Sequence, residues 1–224
     1  LDRYKRAVNE LNHLLGVVAH AKGSRLSLTN YQDQKLSPVK SQDLIAAAEH
    51  PEENIFFSYF KSRLLKILEH DQPSAVGFSL NYLSQALCTF AMVGWLKREF
   101  PGLKLILGGD LVTSWVKNPG WKNPFKGLID HLIPGPGEYP LLSLLGILGN
   151  QNTRCLPDYI HLPLREYFSP GLILSYSASS GCYWNKCSFC PEKAERNPYI
   201  PVPIDKVLTD LTTLVKQTQP VLIH

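Results

Sequence analysis

The fold class is indicated most clearly by residues 74–109, SAVGFSLNYLSQALCTFAMVGWLKREFPGLKLILGG. This stretch begins and ends with short apolar runs, SAVGFSL and LKLILGG, and the segment LSQALCTFAMVGWLKREF between them has the length and composition of a helix. Short buried strands separated by a helix are typical of a parallel βαβ unit, because the crossover between parallel strands needs a helix that covers the sheet. The stretch therefore predicts an α/β fold.

The same alternation continues after this stretch. Residues 128–135, LIDHLIPG, have the pattern of a further strand, and residues 137–149 predict a turn and a helix that carries Pro140 near its start. A polar, proline-bearing segment at 150–171 then breaks the alternation and predicts a connector.

The residues before this stretch predict three helices and one strand. The first helix ends at Gly23, residues 25–31 alternate like a strand, and two more helices begin at Ser41 and Pro51. An apolar stripe at steps of three and four runs along the first helix and consists of Leu1, Tyr4, Val8, Leu11, Leu15 and Val18.

A second βαβ unit follows the connector. Residues 172–179, LILSYSAS, predict a strand, residues 203–218 predict a helix, and VLIH at 221–224 predicts the next strand. We expect a domain at 1–149, a linker at 150–171 and the start of another domain at 172–224. The segment between the first strand and the helix lies at the carboxyl end of that strand, where α/β folds bind ligands.

Composition limits the classes of partner and compartment. The formal charge of +4 comes from 23 Lys and Arg against 19 Asp and Glu without a long basic run, which argues against nucleic acid as the main partner. Apolar runs stay well below the roughly 18 residues that span a bilayer, so we expect no membrane partner and a cytoplasmic protein. The chain opens without Met and closes on a strand-like run, and we therefore expect a fragment of a longer protein.

The stretch GCYWNKCSFC, residues 181–190, holds three of the five cysteines. The total of five is odd and three of the five are clustered, which fits a metal site in a reducing compartment better than a disulfide framework. The two-residue gap between Cys187 and Cys190 lets two thiolates converge on one metal or cluster, and the loop back to Cys182 gives the chain room to curl around it.

Three kinds of centre remain open on the residues alone. Structural zinc needs a fourth protein ligand, for which Cys155 and His161 are the nearest candidates. A [2Fe–2S] cluster matches the C-x4-C-x2-C spacing but needs a more distant fourth cysteine. A [4Fe–4S] cluster with one iron left open for a substrate needs three thiolates only.

The cysteine stretch resembles the signature of the radical S-adenosylmethionine superfamily, C-x3-C-x2-C with an aromatic residue before the last cysteine, on the loop after the first strand of a partial (β/α) barrel. Here the first gap is one residue longer, and the aromatic residue is Phe189. The resemblance implies that Cys182, Cys187 and Cys190 hold a [4Fe–4S] cluster and that its open iron binds S-adenosylmethionine. One electron would cleave this cofactor to a 5′-deoxyadenosyl radical, with Phe189 beside the adenine and Tyr183 shielding the site from water.

The region 73–149 is similar to the cobalamin-binding domain, Rossmann-like (flavodoxin-like) in fold, that precedes the barrel in one branch of this superfamily. Three segments carry the likeness: VGFSL (76–80), LILGGD (105–110) and PGPGE (134–138). The resemblance implies that these segments line a corrinoid cleft through Ser79, Gly108, Gly109, Gly135, Gly137 and Glu138. The chain has no D-x-H-x-x-G motif and Asp130-His131 has a different spacing, so cobalamin would bind without a histidine lower ligand.

Two function hypotheses follow. The first is a radical S-adenosylmethionine iron–sulfur enzyme, linked to cobalamin, that takes electrons from a donor such as flavodoxin or ferredoxin and acts on a small molecule or a peptide. Its barrel would be cut after the first βαβ unit, so the resemblance predicts that this fragment is inactive by itself. The second is a non-catalytic corrinoid- or nucleotide-binding module with a structural zinc or [2Fe–2S] site.

Overall fold

The structure is a computed structural model that describes residues 2–147, 156–159, 162–167, 169–188, 190 and 197–224. Contacts divide the chain into two units. The amino-terminal unit is Lys5–Gly149, and the carboxy-terminal unit is Asn150–His224 together with Leu1–Tyr4.

The amino-terminal unit contains six helices and five strands among its described residues. In chain order they are α1 (Asp2–His20), β1 (Ser24–Leu26), β2 (Tyr31–Asp33), α2 (Ser41–Glu49), α3 (Phe57–Asp71), β3 (Ala75–Ser79), α4 (Leu83–Glu99), β4 (Lys104–Gly108), α5 (Asp110–Lys117), β5 (His131–Ile133) and α6 (Glu138–Leu144). A 3-10 turn at Pro51–Glu53 lies between α2 and α3.

The central sheet has three parallel strands in the order β3-β4-β5. β3 pairs with β4 along its whole length, from Ala75 opposite Lys104 to Ser79 opposite Gly108. The βαβ unit predicted from residues 74–109 is therefore present, and the prediction of an α/β chain with a parallel sheet is confirmed.

Helix α4 forms the middle of the core because its residues are apolar on all sides. Leu87, Phe90 and Leu96 are buried, and so are Leu105 and Leu107 of the neighbouring strand β4. All five belong to one buried apolar cluster. A helix that is apolar all round must be covered on more than one side, and α4 contacts both α2 and α3.

Three local predictions need correction. Residues 24–33 form an antiparallel hairpin of β1 and β2, not one strand over 25–31, because a turn at Ser27–Asn30 reverses the chain with a hydrogen bond from Ser27 N to Asn30 O of 2.8 Å. The helix predicted from Pro51 is a short 3-10 turn there, and α3 begins six residues later. In α1 the predicted stripe is not one buried face, since Leu11 and Val18 are exposed.

The carboxy-terminal unit contains one α-helix, a 3-10 turn at Leu164–Glu166 and four short strands among its described residues. The helix and strands are β6 (Ile173–Leu174), β7 (Ser179–Ser180), β8 (Ile200–Pro201), α7 (Ile204–Thr218) and β9 (Leu222–Ile223). β6 and β9 pair in parallel with α7 between them in the chain, which is a βαβ unit. β7 and β8 pair antiparallel.

Helices that could cross a membrane are absent from the described part of the chain, since none there is both long enough and apolar enough.

Candidate functional site

The carboxyl ends of the three parallel strands bring the predicted cofactor-binding residues of the amino-terminal unit to one edge of the sheet. Ser79 pairs with Gly108, and Gly108 pairs with Ile133 on the next strand. Gly135 follows two residues after Ile133, so segments far apart in the sequence meet in one row. This is the edge at which parallel α/β sheets bind ligands.

Gly109 makes the turn from β4 into α5, and no other residue type fits there. Its φ is +102°, and a Cβ atom would lie 2.5 Å from the Leu80 carbonyl oxygen and 2.7 Å from Asn81 Oδ1. Both the backbone angle and the close approach therefore demand glycine. Gly108 is less crowded, with the Ile133 carbonyl oxygen 3.2 Å from the position of a Cβ.

Asn81 ties the ends of β3 and β4 together. Its Oδ1 accepts a hydrogen bond from Asp110 N at 3.1 Å, and its Nδ2 donates to Ser79 Oγ at 3.2 Å. The next amide, Leu111 N, donates to the Leu80 carbonyl at 3.2 Å. The first two N–H groups of α5 therefore already have protein acceptors.

Thr113 connects the β4 turn to the loop after β5. It is buried at 3% exposure, its hydroxyl donates to the Gly109 carbonyl at 2.9 Å, and the same oxygen accepts from Gly135 N at 2.8 Å. Gly135 has a φ of +72°, which favours glycine at this position. Gly137 caps α6 and Glu138 begins that helix with an exposed side chain.

A groove of about 440 Å³ lies beside the carboxyl end of β3. Phe78, Cys88 and Met92 supply apolar surface, and Ser79 and Gln85 supply polar groups. The β1–β2 turn lines its other side. A largely apolar concavity with a few polar groups at a strand end is what a flat organic ligand requires.

Burial raises the pKa of the Cys88 thiol to about 11. The thiolate is the form that binds metals and attacks electrophiles, so Cys88 is suited to packing. Cys88 is partly buried and packs against the apolar core cluster of the amino-terminal unit.

The cysteine loop, residues 181–199, is closed at its neck by the β7–β8 pair. Ser179 pairs with Pro201 and Ser180 with Ile200, and Val202 N donates to the Ala178 carbonyl at 2.8 Å. The loop therefore leaves and re-enters the unit at one point.

Gly181 fixes the entry to this loop. Its φ is +68°, and a Cβ atom would lie 2.1 Å from the Pro198 carbonyl oxygen. Two backbone segments thus touch immediately before Cys182, which only glycine permits.

The three cysteines of the loop are half-buried, and their thiols are free. They do not lie together in a ready-made ligand set, because among the described residues no group of three His, Cys, Asp or Glu side chains is arranged to hold a metal ion. The β7–β8 pair brings the two ends of the loop together, so Cys182, Cys187 and Cys190 lie on one segment that is closed at its neck.

Aromatic and basic side chains lie on the same loop as the cysteines. Tyr183 is 79% exposed and its ring meets Tyr199 edge-on at 6.0 Å. Lys186 Nζ lies 4.9 Å from the centre of the Trp184 ring, a cation–π contact. Phe189, predicted to lie beside the adenine, is outside the described residues.

The sequence interpretation missed Asn81 and Thr113. Asn81 follows a strand by two residues, where an Asn side chain commonly bonds to nearby backbone, and this signal was available. Thr113 had no such signal because its partner Gly135 lies 22 residues away.

Comparison of the chain with protein-family models, with curated proteins and with solved structures gave no match in any of the three. Sequence pattern and geometry are therefore the basis for the function.

Proposed function

We propose that this chain is part of a radical S-adenosylmethionine enzyme with an amino-terminal corrinoid-binding unit of Rossmann-like (flavodoxin-like) type. The observation that carries the proposal is the cysteine loop: three free thiols on one segment, closed at its neck, after the first strand of the parallel pair β6 and β9. In this proposal residues 172–224 are the first βαβ unit of a (β/α) barrel, 1–149 are the corrinoid-binding domain and 150–171 are the linker.

The donor set of the loop fits an iron–sulfur cluster. Thiolates are the ligands that such clusters take, and Cys182, Cys187 and Cys190 are free cysteines that form no disulfide. Metal sites commonly form only when the metal binds, so a loop that is closed at its neck but has separated thiols is compatible with cluster assembly. When bound, the cluster would supply the electron that cleaves S-adenosylmethionine.

Neighbouring side chains have roles that follow from their chemistry. The Lys186 ammonium, beside Cys187, would offset the negative charge of three thiolates. Phe189 would lie beside the adenine of the cofactor, and Tyr183 would shield the cluster from water. The electron donor would be a protein such as flavodoxin or ferredoxin.

The amino-terminal unit favours a corrinoid over a nucleotide. Dinucleotides are held by free N–H groups at the start of a helix after a glycine turn. Here the Asp110 and Leu111 amides are already bonded to Asn81 and to the Leu80 carbonyl, and the Asp110 side chain adds negative charge. A corrinoid needs a broad edge lined by small residues, which Ser79 and the glycine turns provide, and it would bind without a histidine ligand from this chain.

Anaerobic reconstitution with iron and sulfide tests the proposal. We expect about four irons per chain and a brown chromophore, and we expect Cys182→Ser, Cys187→Ser and Cys190→Ser each to lose most of this iron. Cys88→Ser is the matched control and keeps it, because Cys88 packs against the core of the other unit. One zinc per chain without colour would instead favour the non-catalytic module.

Corrinoid binding is tested separately by titration with hydroxocobalamin, followed by its visible absorption. We expect saturable binding that Gly109→Ala weakens, because the added methyl group displaces the Leu80 backbone and the Asn81 side chain at the sheet edge. If hydroxocobalamin bound the wild type and this variant with equal affinity, the corrinoid site would not lie at this edge of the sheet.

A further inference from the structure

Helix α7 buries an acidic side chain. The buried residues of this helix are Asp210 and Leu214, one turn apart, and Asp210 is only 4% exposed. A carboxylate removed from water to this degree costs several kcal/mol unless charged or hydrogen-bonding partners compensate it.

A tyrosine and a lysine are among the partners of Asp210. Its Oδ2 accepts a hydrogen bond from the Tyr176 hydroxyl at 3.0 Å, and its Oδ1 lies 3.0 Å from Lys206 Nζ, one turn earlier on the same helix. Lys206 is half-exposed and supplies the opposite charge locally. The Tyr176 hydrogen bond is different, because it joins α7 to a residue 34 positions away.

Tyr176 lies on the segment that leads from β6 into the cysteine loop. Its backbone N donates to the His224 carbonyl at 2.9 Å, which extends the pairing of β6 with β9 beyond Leu174. The next backbone contact toward the loop is that of Ala178 with Val202. Tyr176 is thus held by the sheet through its backbone and by α7 through its side chain, six residues before Cys182.

A buried ion pair adds little net stability compared with well-packed apolar residues. A hydrogen bond from a hydroxyl to a carboxylate, however, has a narrow range of distance and angle and so fixes the direction of both groups. A leucine in place of Asp210 would fill the space, as Leu214 does one turn later, but it would not orient Tyr176.

We propose that Asp210 and Tyr176 are positioning residues for the cysteine loop: their hydrogen bond sets where the chain leaves the sheet and thereby restrains Cys182. The inference deepens the proposed function and rests on it only in taking the thiols as cluster ligands.

The test measures alkylation of each cysteine in the metal-free, reduced protein by peptide mass spectrometry. We expect Cys182 to be alkylated about tenfold faster in Tyr176→Phe and in Asp210→Asn than in the wild type. Loss of one hydrogen bond to a charged group raises the population of the locally open state by about this factor. Asp205→Asn removes an exposed charge from the first turn of the same helix and should leave the rate unchanged. Cys88, in the other unit, is the internal reference.

Amide hydrogen exchange of Ile204–Thr218 shows whether α7 stays folded in each variant. If Asp210→Asn unfolds the helix, Tyr176→Phe still tests the proposal, because Tyr176→Phe leaves the ion pair of Asp210 with Lys206 in place. Cys182 labelling in Tyr176→Phe at the wild-type rate, with α7 protected, would overturn the proposal.

The midpoint potential of the reconstituted protein is the second readout. A looser loop admits water, which stabilises the more negative reduced cluster, so the potential should rise in Tyr176→Phe and not in Asp205→Asn. An unchanged potential in a cluster-bearing Tyr176→Phe protein would contradict the positioning role. A reconstituted wild-type protein that binds no iron at all would contradict the proposed function. The labelling experiment needs no metal, so its result would still test the positioning role of Tyr176 and Asp210.

Discussion

Gly181 restricts the backbone at the entry to the cysteine loop, because its φ is positive and Pro198 O lies where a Cβ would be. We expect Gly181→Ala to open the neck at a cost of about 1–3 kcal/mol. The reconstituted variant should hold less than half the iron of the wild type. Gly102→Ala is the control, since a Cβ there meets open space, and equal iron in Gly181→Ala and this control would show that the neck does not matter.

Cys88 should react slowly with alkylating reagents for an electrostatic reason. Burial raises the pKa of its thiol to about 11 from 9.0, so at pH 8 its thiolate fraction is about a hundredfold below that of an ordinary cysteine. The alkylation rate should keep rising about tenfold per pH unit up to that value. A rate that levels off near pH 9, measured by mass spectrometry in the folded protein, would contradict the raised pKa of Cys88.

At the scale of elements, the contact of α2 with α4 depends on one missing methyl group. A Cβ on Gly94 would lie 1.9 Å from the Ala48 carbonyl oxygen, so the two helices meet backbone to backbone. Gly94→Ala should lower the free energy of unfolding by about 2 kcal/mol or more despite the better helix propensity of alanine. Urea denaturation measures this, with Gly102→Ala as the reference; a stabilised Gly94→Ala protein would mean that the helices are not in contact.

Asp130 holds the start of β5 against β4 and α4. Its carboxylate accepts from Leu105 N at 2.8 Å and pairs with Lys97 at 2.8 Å. Partial burial raises its pKa, but the Lys97 and Leu105 hydrogen bonds outweigh this and leave it below the ordinary value of 3.8. Asp130→Asn should cost about 1 kcal/mol at neutral pH.

The pH dependence of this loss has a definite sign. Because the folded pKa of Asp130 is the lower one, its stabilisation is present above pH 3.8 and is lost as the pH falls through the folded value. The difference in unfolding free energy between the wild type and Asp130→Asn should therefore shrink in acid. A difference that stays constant down to pH 2 would show that the charge is not involved.

Elements were predictable where burial dictates the pattern. The strands predicted at 74–80 and 103–109 and the helix predicted at 83–100 agree with the structure within one residue at each end. Most residues of β4 and of the middle of α4 are buried, so their sequence is almost continuously apolar. The hairpin at 24–33 was missed because its turn depends on a side chain: Ser27 Oγ accepts from Asn30 N at 3.0 Å. The helix predicted from Ser41 begins there, yet Lys40 is the N-cap and no side chain caps the helix.

At the scale of the whole molecule, the sequence indicates which strand ends meet but not what joins them. Ser79, Gly108 and the loop of Gly135 come together because parallel strands place their carboxyl ends at one edge. The bonds of Asn81 with Asp110 and of Tyr176 with Asp210 link positions 29 and 34 residues apart, and no periodic pattern carries that information. The spacing of the cysteines indicates a ligand set, whereas the shape of their loop depends on its neck.

The central claim is that three thiolates of one loop hold a cluster with an open iron. Electron paramagnetic resonance of the reconstituted, reduced protein, recorded with and without S-adenosylmethionine, tests it most directly. We expect a cluster signal that shifts when S-adenosylmethionine is added and that is lost in Cys187→Ser. A signal that is the same with and without this molecule, or that persists in the variant, would contradict it.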